Sequence, residues 1–192
     1  MDCGVYTPLP QQPGAIRLLR LFPNSDAGAP IHCSLLTYIL EDLGGKPHLY
    51  EALSYAWGDP DKTVEITVSG FSINITENIH AALRRLRDHY FERILWIDAL
   101  CIDQSNKQEV ATQFLFMARI YSEASRVLVW LGEAANGSDI ALENLRLMNH
   151  GPEKDTNHRI VVRHLLERPW FRRVWVSSFS CPRIYADSLI SF

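Results

Sequence analysis

Apolar and polar positions alternate with period two in two neighbouring stretches. Val64, Ile66 and Val68 form the first, Phe71, Ile73 and Ile75 the second, and Ser69-Gly70 separates them. Successive side chains of a strand point to opposite faces, so the pattern predicts a β-hairpin with one buried face. The period then lengthens. Ile79, Ala82, Leu83 and Leu86 fall on one stripe of a helix, with Thr76 or Asn78 placed to cap it. Ile94-Leu-Trp-Ile97 is apolar on both faces, as a buried parallel strand is, and Asp98 follows at its carboxyl end. Ser105 with Gln108, or Asn106 with Glu109, offers a capping box for a next helix carrying Val110, Phe114, Met117 and Tyr121 on one stripe. Arg126-Val-Leu-Val-Trp-Leu131 is a second buried strand, halted by Gly132. Strand, capped helix and strand make a βαβ unit.

Upstream, Ala15–Phe22 and Leu49–Trp57 read as short strands, whereas periodicity leaves Ile31–Leu40 open between strand and helix. Downstream, Ser138 can cap a helix through Met148, and Ile160–Glu167 reads as another, stopped near Pro169. Residues 1–14 carry three prolines and read as a flexible lead-in; 177–192 have no clear period. The fold class expected is α/β, a single domain in which a β-hairpin precedes a parallel βαβ core.

Composition narrows the function. The chain has 192 residues, 47% hydrophobic and 21% charged, enough for one packed domain and too apolar for a disordered chain. Nineteen Lys and Arg face 22 Asp and Glu, which argues against nucleic acid as a partner. No apolar run is long enough for a membrane span, and the first residues do not form a secretory signal. Cys3, Cys33, Cys101 and Cys181 are scattered without a CxxC pair, so a reduced set of thiols in the cytoplasm is expected.

Several long blocks occur in a distinctive order. They are Tyr50-Glu-Ala-Leu-Ser-Tyr-Ala-Trp-Gly-Asp59, Asn78-Ile-His-Ala-Ala-Leu-Arg-Arg-Leu-Arg87 and Trp96-Ile-Asp-Ala-Leu-Cys-Ile-Asp-Gln104. Val127-Leu-Val-Trp-Leu-Gly132 and Arg168-Pro-Trp-Phe-Arg-Arg-Val-Trp175 complete the set. The set resembles the fungal heterokaryon-incompatibility (HET) domain over residues 15–176. The resemblance implies a role in self/non-self recognition and programmed cell death. It also carries a distant TIR-like comparison, and through it NAD as a substrate, with no other cofactor required. After Val176 the family continues with Gln-Glu, where this chain has Ser177, Ser178 and Phe179. A truncated paralogue or a mis-spliced tail is the expectation there.

Three carboxylates draw attention. Asp98 stands where a parallel strand ends, and ligands of open α/β sheets bind beyond such ends. Glu109 falls in the first turn of the next helix, and Asp103 and Gln104 occupy the loop between. A carboxylate there suits ribose hydroxyls or an oxocarbenium-like centre. The competing reading gives Asp98 and Asp103 loop amides and Glu109 a capping box. Tyr55 and Trp57 suit either a wall for a flat ring or a core pair with polar tips. Cys101 is a nucleophile candidate without an identifiable base, and a buried inert thiol is the alternative. The seven histidines form no HExxH and no i,i+4 pair, so no metal site is expected. GxxxxGK[ST], GxGxxG and GxSxG are absent. Whether the chain is an enzyme stays open at this point. A self-associating module, a homo-oligomer or a domain docking on a receptor-type protein fits the sequence as well, as does an inactive truncated paralogue.

Overall fold

The computed structural model describes residues 4–133, 163–164, 166–172 and 189–190. The expected helix at 138–148 lies outside them, as does most of the tail; of the expected helix at 160–167, residues 163, 164 and 166 are helical.

The hairpin forms as its alternation requires. β4 (Thr63–Val68) pairs antiparallel with β5 (Phe71–Thr76) in unbroken register. Ser69 and Gly70 both adopt positive φ, 52° and 85°, which suits the strand twist at a two-residue turn. The strands upstream are β1 (Ala15–Leu21), β2 (His32–Ile39) and β3 (His48–Tyr55), so the ambiguous stretch at 31–40 is a strand. β1 settles it: β2 pairs antiparallel with β1 along its whole length, an interaction local periodicity does not contain. β6 (Arg93–Trp96) and β7 (Ala124–Trp130) follow, and Leu189–Ile190 adds β8.

One mixed sheet results, in the order β5-β4-β2-β1-β6-β3-β7-β8. β3 runs parallel to both neighbours, β6 and β7, so the expected βαβ unit spans an intervening strand. β1 is antiparallel to β6. β1 and the apolar run Val127–Trp130 of β7 are buried on both faces, as central strands are.

α1 (Glu77–Leu86) buries the expected stripe of Ile79, Ala82, Leu83 and Leu86, and Thr76 is its cap. α3 (Lys107–Glu123) is capped by Asn106. Of the expected stripe, Tyr121 is buried and Val110 and Met117 pack against the core, whereas Phe114 is 48% exposed; Gln113 and Ile120 are buried as well. The polar Gln113 is tolerated inside because its amide donates to the Ala15 carbonyl at 2.9 Å. A one-turn helix, α2 (Asp98–Cys101), occupies the start of the stretch read as loop.

The two long helices cover opposite faces. Trp130, in register with Tyr55, donates to Asn78 of α1 at 2.8 Å. On the other face Tyr50 donates to the Ile120 carbonyl of α3, and Trp96 packs edge-on against Tyr121. The chain thus leaves β3 towards one layer and β6 towards the other, which makes a switch point at their carboxyl ends.

The lead-in contributes to this packing. Val5 is buried, Tyr6 donates to the Leu100 carbonyl, and the Arg17 guanidinium donates to the Thr7 carbonyl at 2.7 Å.

Candidate functional site

The switch point is built by strand ends. β3 terminates in Tyr55, wholly buried; two residues on, Trp57 is half-exposed. β6 terminates two residues before Asp98, which is 6% exposed. Asp98 Oδ1 accepts the Tyr55 hydroxyl at 2.6 Å and the Ala99 amide at 2.8 Å. Its Oδ2 accepts the Trp57 indole N–H at 3.3 Å. Among the described residues no cation forms an ion pair with this carboxylate. Burial and the adjacent Asp98 charge push the Tyr55 hydroxyl well above the ordinary tyrosine value of 10.0. Tyr55 therefore stays a proton donor to Asp98 through the neutral range. Oδ2 carries a single long bond and keeps acceptor capacity for another donor.

A frame holds these groups. Gln104 donates from its amide to the Asp98 carbonyl at 3.0 Å, closing the turn that carries Asp98. Asn78 donates to the Ala56 carbonyl at 2.5 Å while accepting from Trp130, and Thr76 donates to the Trp57 carbonyl at 2.7 Å. The start of α1 is thereby tied to the strand end that presents Trp57. Gly58 permits that approach: its φ is +82°, and a Cβ there would lie 2.9 Å from the Cβ of Asn78.

Tyr55, Trp57, Asp98 and Gln104 thus come together. Asp103 and Glu109 have other partners. Asp103 Oδ1 accepts the Ser105 amide at 3.0 Å and hydroxyl at 2.6 Å. Glu109 forms a two-pronged ion pair with Arg17, 2% exposed, and accepts the Asp103 amide at 2.8 Å. Arg17 also donates to the Cys101 carbonyl, so the pair staples β1, α2 and the start of α3. The reach-back half of the capping box is not made: the Asn106 amide donates to the Asp103 carbonyl instead, at 3.1 Å. Burial pushes the Cys101 thiol up to about 12, as it does that of Cys33, so neither is a thiolate at neutral pH.

The last block reaches the same end of the sheet. Trp170 is buried and donates to Ser54 Oγ at 2.9 Å; Arg168 donates to the Leu131 carbonyl at 2.8 Å, just past β7. Its place was not legible from spacing, since more than 110 residues separate Trp170 from Ser54. The signal available was chemical: an indole N–H that becomes buried needs an acceptor. Among the described residues no group of three His, Cys, Asp or Glu could hold a metal, and no helix is long and apolar enough to cross a membrane.

A mixed sheet with helices on both faces and a buried carboxylate at its central strand ends define a small α/β domain. The family model described as heterokaryon incompatibility protein (HET) matches residues 50–178, and the chain belongs to that family. It is similar to heterokaryon incompatibility protein 6, OR allele, of Neurospora crassa, with 28% identity over 92% of the chain. The chain spans about a third of that relative's length. No solved structure matches.

Proposed function

We propose that this HET domain is a cytoplasmic effector of programmed cell death in fungal self/non-self recognition, and that it cleaves NAD⁺ at the strand ends that carry Asp98 and Trp57. The observation that carries the catalytic half is the state of Asp98. It is the candidate carboxylate that lies at the strand ends, is held only by neutral donors and retains an open acceptor position. Glu109 is neutralised by Arg17 and Asp103 is taken up by Ser105, so neither serves as well. The free, buried thiols of Cys33 and Cys101 support a reducing compartment.

The chemistry is cleavage of the bond between the nicotinamide nitrogen and ribose C1′. Nicotinamide leaves with the bonding electron pair, water adds to C1′, and one proton is released. Asp98 stabilises the positive charge that develops on the ribose, or binds its hydroxyls, and the half-exposed Trp57 face offers a wall for a flat ring. Purified protein incubated with NAD⁺ is expected to release nicotinamide. Asp98→Asn, which preserves size, is expected to lower the rate at least about a hundredfold, the scale of a lost charge-stabilising group. Asp103→Ala is expected to retain activity. No release by the wild type, or an active Asp98→Asn, overturns the catalytic reading. Growth arrest on induced expression in a filamentous fungus tests the cellular half.

A further inference from the structure

Among the described strands β8 forms one edge of the sheet and β5 the other. Its sequence, Phe71-Ser-Ile-Asn-Ile-Thr76, has no charge and no proline, and its register with β4 shows no bulge. Natural edge strands are ordinarily blunted by one of these devices, and β5 has none. The orientation of its main chain follows from β4. Thr67 and Ser69 donate their amides to the Ile31 and Cys33 carbonyls beside β2, so the odd-numbered positions of β4 point away from β5. Their partners, Ser72 opposite Thr67 and Asn74 opposite Glu65, therefore direct both N–H and C=O outward from the sheet. Among the described residues nothing bonds these groups.

We propose that two copies of this chain associate through β5, antiparallel about a two-fold axis at Ile73. The strand is self-complementary in that register. Ser72 of each copy faces Asn74 of the other, and both residues have outward main-chain groups, so four N–H···O bonds form across the axis. Ile73 faces its own counterpart, and Phe71, 43% exposed in the single copy, faces the Ile75 of the second copy. These residues share the apolar face of the hairpin, so the pairing extends the hydrophobic surface against which α1 packs. A β5 strand without charge meets its copy without repulsion, whereas a charged peptide gains no counter-charge from it. That is why the occupant is a second copy.

Sedimentation equilibrium of the purified chain tests the proposal. The mean mass is expected to rise with concentration from 22.0 kDa toward twice that value. Ser72 and Asn74 are exposed, so both accept charge without disturbing the core. Ser72→Lys with Asn74→Lys places lysine opposite lysine in both cross-axis pairs and is expected to weaken the dimer at least about tenfold. Ser72→Lys with Asn74→Glu places opposite charges there and is expected to keep it. Far-ultraviolet circular dichroism confirms that both variants are folded. A wild type that stays monomeric at about 100 μM, a concentration at which weak interfaces form, overturns the proposal. So does a dimer that both double variants leave unchanged, or weaken equally.

Discussion

Glu109 and Asp98 show how little a residue's type says about its work. Both are carboxylates within the same loop-and-helix stretch, and both are largely buried. Glu109 sits against the Arg17 guanidinium and a loop amide, with its charge fully compensated. Asp98 has only a phenol, an indole and one amide. The difference is testable as a difference between stability and activity. Glu109→Gln leaves Arg17 charged in the interior and is expected to cost about 3 kcal/mol in urea unfolding, the scale of a broken buried pair. Arg17→Met added to it should recover part of that loss, because the orphaned charge is gone. If Glu109→Gln unfolds like the wild type, the pair is not the staple described above. The position of Arg17, in β1 and 92 residues away, is what no local pattern contains.

Among elements, the start of α1 matters most. Its apolar stripe and its threonine cap were both legible, because each depends on residues within one turn. Its second duty was not. Asn78, a candidate cap by type, instead bridges the Ala56 carbonyl after β3 and the Trp130 indole at the end of β7. Asn78→Ala would strand a buried indole N–H and is expected to cost about 2 kcal/mol. Because the same side chain fixes the strand end that bears Trp57, the nicotinamide release proposed above is expected to fall as well. A variant with unchanged stability would show that the bridge contributes nothing. α3 gives the complementary lesson. Its helical period was clear and Val110, Met117 and Tyr121 lie on the core side, but Phe114 is exposed and Gln113, whose amide donates to the Ala15 carbonyl, is inside.

For the molecule as a whole, the long-range closure is made by Trp170. It brings a segment from far along the chain onto β3 through its indole bond to Ser54. Trp170→Ala is expected to lower stability by about 3 kcal/mol, the scale for removing a large buried aromatic. Limited proteolysis should then cut more readily on the C-terminal side of β7. Equal protection of variant and wild type would mean that the Trp170 block is an appendage rather than part of the sheet's closure.

Local chemistry determined the hairpin, the faces of α1, the caps at Thr76 and Asn106 and the buried strands at β6 and β7. Each of these is dictated by side-chain period or by a cap within a few residues. The ordered blocks of sequence determined the family. Only the tertiary structure decided that Ile31–Leu40 is a strand, that β3 lies between the two arms of the βαβ unit, and that Asp98 rather than Glu109 keeps an unneutralised carboxylate. Those outcomes depend on partners tens of residues distant, and the strength of a charge is set by what is packed against it.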